Sequence, residues 1–509
     1  METQTHSRTN TQNVGLILGF VLCLLALLFF HPDPSRPEVG KMTAIVLLMA
    51  TWWVTEAVPL AATSLVPMVL FPLVGIASGK QIAGSYMNSI IFLYIGGFLI
   101  ALAMERWNLH RRIALTIIHA IGKKTDLMIL GFMVAAAFLS MWISNTATAV
   151  MMLPIGLAII SQMETEFGKE RAHKLSLALL LGIAFSCSIG GVATPVGTPT
   201  NLAFLKIFED TFPSAPAISF GQWFLMGLPL SIVVLICTWF LLTKLLCRVD
   251  QSMVIDREII RNEIRKLGKL KYEEIVVLAV WVLTACLWIF RGDLTIGIFT
   301  IPGWKNLWSG FAMVDDSTVA VLMALLIFVI PSGKNSPGKA IIEVDVFRNL
   351  PWSAILLFGG GFALANGFTS SGLTEYLALQ FGKMGDMPII LVVILACVGV
   401  TLVTELVSNI ATVQMFVPVL ASWAVAQEVN PLLLMVPATI VSSMAFLMPV
   451  ATPPNAVIFG SERIRIIEMV RLGLWIKVAA VIITILVVLL LMPVFFNIQP
   501  GLPEWAITQ

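Results

Sequence analysis

Apolar residues run through this chain in stretches about as long as a lipid hydrocarbon core is thick. Val14–Phe30, Thr43–Ala57, Ile90–Met104, Gln222–Leu242, Ile275–Phe290, Val319–Ile330 and Leu474–Phe496 are the clearest. A helix needs about 20 mostly apolar residues to cross a core of about 30 Å, and a soluble core has no use for so many such runs. Composition agrees: 58% of the 509 residues are hydrophobic and 12% are charged, against about 25% charged in soluble domains. The pattern predicts an all-α polytopic membrane protein. Polar Met1–Asn13 precedes the first run with a single arginine, and His31-Pro32-Asp33-Pro34 follows it in place of a small-residue cleavage site. That run is therefore read as a retained span.

Charge gives the orientation. With the N-terminus inside, 24 of the 31 Lys and Arg fall in the tail, Glu105–Lys124, Glu164–Lys174, Lys244–Lys271, Pro331–Arg348 and Ser461–Lys477. Arg36, Lys41, Lys80, Lys206, Arg291, Lys305 and Lys383 fall outside. This positive-inside bias predicts about eleven transmembrane helices, a cytoplasmic N-terminus and an external C-terminus. It also requires Leu127–Gln162 and Pro388–Ala426 to be re-entrant hairpins, each entering and leaving on one side. Val254–Lys271 is expected to be a cytoplasmic surface helix, and a net charge of +2 gives no reason to expect a nucleic-acid partner.

The remaining chemistry excludes more than it offers. The six cysteines are scattered, mostly within apolar runs, and form no CxxC, so they are expected to be packing residues. No HExxH, partnered GxSxG or Walker-type GxxxxGK[ST] occurs, which argues against an enzyme and against an ATP-driven pump. The five histidines sit in tails or near span ends. No cofactor is implied.

Internal repetition is more informative. Gly96-Gly97-Phe98 recurs as Gly360-Gly361-Phe362, and Ser144-Asn145-Thr146-Ala147-Thr148 recurs as Ser408-Asn409-Ile410-Ala411-Thr412, both 264 residues later. Ser140 and Thr404 keep that offset, as do Pro154 and Pro418. Gly197-Thr198-Pro199-Thr200-Asn201 matches Ala451-Thr452-Pro453-Pro454-Asn455 at an offset of 254. Five crossings separate Gly96 from Gly360, so the copies are inverted. Inverted repeats are a mark of secondary transporters, with the binding site near the midplane where they meet.

Each hairpin carries Ser-Asn-x-Ala-Thr at its middle, where polar groups need partners or a wet cavity. Ser, Asn and Thr favour helix N-caps, so each tip should be a break, with Ala147 and Ala411 opening new half-helices. Thr198-Pro199 and Thr452-Pro453 read as N-caps followed by proline at the first helical position. Four half-helix N-termini would then face one point and favour an anion. Freed carbonyls and Ser, Thr and Asn oxygens would suit a small hard cation. No Lys or Arg lies within these motifs, so a bound dianion calls for bound cations. Glu405 is a candidate proton relay or a group that holds the second tip. Glu56 is expected to be a structural cap or interface contact, and Asp315 and Asp316 caps of the eighth span.

These paired motifs, with Trp52-Trp53-Val54-Thr55-Glu56-Ala57-Val58-Pro59, Ala103–Leu115 and Met448–Gly460, resemble the divalent anion/sodium symporter family, over about Val14 to Pro493. The resemblance is nearest to bacterial sodium-dependent dicarboxylate symporters. It implies an inner-membrane homodimer that imports succinate, malate and fumarate with sodium by an elevator mechanism. On that pattern residues 1–13 are a cytoplasmic tail and 14–124 scaffold spans 1–4. Residues 125–210 hold the first hairpin and broken span 5, and 211–386 hold spans 6–9. Residues 387–472 hold the second hairpin and broken span 10, and 473–509 span 11 with an external tail.

Carried over by position, Ser140, Ser144, Asn145 and Gly197 would hold one sodium ion. Thr404, Val407, Asn409 and Ala451 would hold a second. Asn145, Thr146, Thr198, Ser408, Asn409, Thr452 and Pro453 would touch the substrate. Ile410 departs from the threonine of many bacterial members and removes one hydroxyl beside a carboxylate. A sodium-independent dicarboxylate or citrate exchanger, a sulfate transporter and an anion channel remain as alternatives.

Overall fold

The computed structural model describes residues 8–121, 124–253, 258–296, 299–333, 338–385, 387–496, 498–499 and 501–507. Among these, nine helices are long and apolar enough to cross a membrane, from Asn10–Phe29 to Ile466–Phe495. Two of the nine are the outgoing arms of the hairpins, Asn145–Phe167 and Asn409–Ala426, and four of the eleven expected spans are not among them. Pro37–Thr55, at the expected second span, has 19 residues, and Leu432–Ser443, in the tenth, has 12. The third and eighth are also short. One is Leu60–Thr63 followed by Val66–Val74, split at Ser64-Leu65. The other, Asp316–Val329, has 14 residues. The only paired strands among the described residues are Leu294–Ile296 and Phe299–Ile301, which lie antiparallel.

Both hairpins form. The first joins Thr125–Ser140 to Asn145–Phe167, and the second joins Ile389–Thr404 to Asn409–Ala426. The outgoing helices begin at Asn145 and Asn409, two residues earlier than Ala147 and Ala411. The reason is that Ser144 and Ser408 take the N-cap positions, and Ser144 Oγ accepts from Ala147 N at 3.1 Å.

Both broken helices form as well. Lys169–Gly191 and Pro199–Thr211 are separated by Val192–Thr198, and Leu432–Ser443 and Pro453–Phe459 by residues 444–452. Proline at the start of each second half sets φ and needs no N–H partner there. Glycine lets the first hairpin and its broken helix touch at backbone distance: a Cβ on Gly190 would lie 2.1 Å from Ala137 O. The repeated Gly-Gly-Phe serves the same end, since a Cβ on Gly96 would lie 2.7 Å from the Ala320 backbone and one on Gly360 2.4 Å from Ser64 O.

Asp315 caps its helix through Thr318 N at 2.7 Å, but Asp316 pairs with Arg291 at 2.5 Å instead. The surface helix runs Glu258–Leu267, and residues 254–257 of its expected start lie outside the described residues. His110 lies near a span end, as expected, at the start of Leu109–Ile121, and is buried with Nδ1 3.1 Å from Met104 O. Lys477, counted with the cytoplasmic segment, is buried at 2% exposure. It lies on the face of Ile466–Phe495 that packs on Leu432–Ser443, where the Val441 and Met444 carbonyls take the place of lipid headgroups.

Candidate functional site

The two tips and the two breaks converge on one cavity of about 1100 Å³. Ser144, Asn145 and Thr146 line it from the first hairpin, and Val407, Ser408, Asn409 and Ile410 from the second. Gly197, Thr198, Pro199 and Thr200 come from the first break, and Ala451, Thr452, Pro453 and Pro454 from the second. Every residue expected to touch substrate is therefore on one surface. Among the described residues lining it there is no Lys, Arg or His, and Glu56 is the one charged group. Glu56 ends Pro37–Thr55 in a left-handed conformation, φ 48°. It is a cap, as expected, but a cap that faces this cavity.

Ser140 and Thr404 do not line the cavity. Both are fully buried directly behind the tips. In the first half, Ser140 Oγ and Asn145 Oδ1 are buried with no hydrogen-bond partner among the described residues, and the Cys187 thiol lies beside Ser140. Gly191 and Gly197 crowd the same place. A Cβ on Gly191 would lie 2.9 Å from Gly197 O and 3.0 Å from Asn145 Oδ1, and one on Gly197 would lie 3.0 Å from Ser140 O. Buried oxygens seldom go unpaired, so this glycine-lined cradle of oxygens has the chemistry of a small hard-cation site.

The second half is built differently. Thr404 Oγ1 lies 2.7 Å from Ser442 O and 2.8 Å from Asn409 Oδ1. A hydroxyl has one hydrogen, so it donates to Asn409 Oδ1 as placed, or to Ser442 O when the amide turns Nδ2 toward it. Either way the polar atoms of Thr404, Asn409 and Ser442 meet at this tip. Val407 and Ala451 are buried and line the cavity beside Asn409.

The breaks are held by residues to which the sequence reading gave no role. Asn201 Nδ2 donates to Thr194 O at 2.8 Å, and Asn455 Nδ2 donates to Ala445 O and Met448 O at 3.1 Å each. Thr194 Oγ1 donates to Met141 O at 2.6 Å and accepts from Gly197 N at 2.9 Å. Both asparagines close the repeated Thr-Pro-x-Asn string, and that recurrence was the available signal. Thr452 caps its half-helix through Asn455 N at 3.4 Å. Thr198 occupies the matching N-cap position, but its hydroxyl pairs with Thr200 Oγ1 at 3.1 Å. Thr200 in turn meets Ser443 Oγ at 2.5 Å, so the two breaks touch each other.

Two repeated hairpins, two broken helices and a shared cavity lined by half-helix N-termini are the architecture of a secondary transporter. The sodium:sulfate symporter transmembrane region profile matches residues 10–497. The sodium-dependent dicarboxylate transporters SdcS of Staphylococcus aureus strains RF122 / ET3-1 and MSSA476 are each 43% identical to this chain over 497 residues, covering 97% of it and 93% of the relative. The chain belongs to this symporter family, and it is a multi-pass membrane protein. Two solved transporters share the fold at 12% identity and a TM-score of 0.56: Neisseria gonorrhoeae MtrF, over 98% of both chains, and Alcanivorax borkumensis YdaH, over 97% of this chain and 100% of its own.

Proposed function

We propose that this protein imports C4 dicarboxylates, with succinate, malate and fumarate as the natural set, by symport with sodium. One observation carries the reading: four half-helix N-termini and their hydroxyls face a cavity with no basic side chain among its described lining residues, while unpaired oxygens of Ser140 and Asn145 lie behind the first tip and Thr404 and Asn409 bring oxygens together behind the second. Helix N-termini favour carboxylates, yet partial charges alone compensate a dianion poorly. Two cations behind the tips would supply what the lining lacks. Ser140, Ser144, Asn145 and Gly197 are the ligands we assign to one ion, and Thr404, Val407, Asn409 and Ala451 those of the other. Asn145, Thr146, Thr198, Ser408, Asn409, Thr452 and Pro453 are assigned to the substrate. The similarity to the Staphylococcus aureus dicarboxylate transporters supports the choice of anion.

The cavity extends to Thr9, Gln12, Val54 and Pro351, at helix ends on the N-terminal side. With that side cytoplasmic, the conformation is inward-facing. The hairpins and broken helices then form the moving domain of an elevator in a homodimer, and the remaining spans form its scaffold. Uptake of labelled succinate into proteoliposomes tests the reading, with inward sodium, inward potassium or internal succinate as the only driving condition and unlabelled sulfate as competitor. Sodium alone should drive accumulation. Uptake driven only by internal succinate would make the protein an exchanger, and displacement by sulfate but not by malate would move the substrate class.

A further inference from the structure

The two halves of the site are not held in the same way. Glu405 follows Thr404 at the end of the second hairpin's incoming helix and is buried at 6% exposure. Its carboxylate accepts from Phe446 N at 3.1 Å and from Leu447 N at 2.9 Å, both in the unwound stretch of the second broken helix. Lys477, on Ile466–Phe495, donates to Val441 O at 3.0 Å and Met444 O at 2.6 Å, and it lies 3.4 Å from Glu405 Oε1. An ammonium has three hydrogens, and these three partners use them. One side chain thus holds the amides of the break, the other its carbonyls, and each holds the other.

The first half does this work without charge. The repeat offset of 264 places Met141 opposite Glu405. Gly227 and Gly473 each press on the backbone of their own break, and four residues further on stand Ser231 and Lys477. Ser231 Oγ donates to Ile189 O at 2.9 Å, as Lys477 does to Val441 O, and the tip is tied to the break by the Thr194 hydroxyl on Met141 O. Two neutral hydroxyls therefore stand where the second half has a buried ion pair. Such a pair is a weak source of stability, because desolvating both charges offsets their attraction, but removing one partner leaves an unpaired buried charge. Its position is the informative feature. Glu405 is bonded to the chain next to Thr404, and Thr404 reaches the same broken helix through Ser442 O.

We propose that Glu405 and Lys477 are positioning residues for the second cation site, a charged clamp that fixes the Thr404 tip against the break bearing Ala451. The inference rests on the sodium-symport reading. Groups that orient cation ligands from behind typically change ion affinity by roughly 10–100-fold when lost. Glu405→Gln and Lys477→Met should each raise half-saturating sodium by roughly tenfold or more and lower the cooperativity of sodium activation, with succinate affinity recovering at saturating sodium. Lys477→Arg, which keeps the charge, should stay near wild type.

The double variant Glu405→Gln/Lys477→Met leaves neither charge unpaired, so it should melt near wild type yet keep the shifted sodium curve. An ion pair that serves stability alone would recover both. The experiment is sodium-activated succinate uptake into proteoliposomes, alongside size-exclusion and thermal-melt profiles of the purified variants. A folded double variant with the wild-type sodium curve overturns the proposal. If the neutral variants fail to fold, Glu405→Asp is measured in the same way, and an unchanged sodium curve overturns the proposal there too. A wild-type protein without sodium stimulation overturns the symport reading and this inference with it, whereas an unchanged variant beside a sodium-driven wild type overturns this inference alone.

Discussion

Asn145 and Asn409 each carry an oxygen and an amide N–H on one side chain, and each sits at a hairpin tip between the cavity and the oxygens behind it. An alanine at either position removes an acceptor for a cation and a donor for an anion together. Asn145→Ala and Asn409→Ala should each abolish sodium-driven succinate uptake while the protein still reaches the membrane, as quantitative immunoblotting of membranes would check. Uptake at wild-type rates in both variants would place the site elsewhere. Ile410 makes the opposite case. It lines the cavity beside Ser408 and Asn409 but offers no hydrogen bond. Ile410→Thr should tighten succinate relative to sulfate by up to about 1–3 kcal/mol, read from competition constants, with the sodium response almost unchanged. A lost sodium response with fixed anion ranking would mean that Ile410 does not face substrate.

At the scale of elements, the site depends on helices that stop. Each Ser-Asn and Thr-Pro string ends one helix and opens another, and the freed amides and carbonyls are the working groups. This requires the hairpin tips to approach the broken helices at backbone distance. Gly190 lies where a Cβ would come within 2.1 Å of Ala137 O and 2.4 Å of Ala137 Cα. Neither neighbour is a flexible side chain that could yield. Gly190→Ala should therefore push the first hairpin away from its broken helix, at a cost of about 1–3 kcal/mol of overpacking. The expected result is a lower melting temperature in detergent and a raised half-saturating sodium concentration. Gly399, whose Cβ would meet nothing within 4 Å, is the control: Gly399→Ala should leave both unchanged.

For the whole molecule, the proposed sites put cation and anion in one enclosure, and any coupling between them is reciprocal. Succinate affinity should rise with sodium, and sodium affinity should rise with succinate by the same factor. Equilibrium titrations of purified protein check this, and succinate affinity that is the same with and without sodium would dissolve the link between the oxygens behind the tips and the cavity. Access can be read as well. Val450 is 78% exposed and lines the cavity. With exposed Cys286 replaced, Val450→Cys should react with an impermeant thiol reagent from the side bearing the N-terminus, and protection should follow conditions that drive the carrier to its opposite state.

The apolar runs, the positive-inside count, the inverted repeat and the four helix-breaking strings were legible along the chain. Each follows from local rules: hydropathy over about 20 residues, the capping preference of Ser and Thr, and the fixed φ of proline. Local rules could not say which groups would meet. Thr200 and Ser443 are 243 positions apart and touch only because the two repeats close on each other. The unpaired Ser140 and Asn145 oxygens become a cradle only when Gly191 and Gly197 close over them. Lys477 is the plainest case. In sequence it ends a basic segment, where an ammonium is expected at lipid headgroups, and nothing within a few residues says otherwise. Whether a charge is solvated or enclosed depends on what packs around it, and here Val441, Met444 and Glu405, 33 to 72 positions away, surround it.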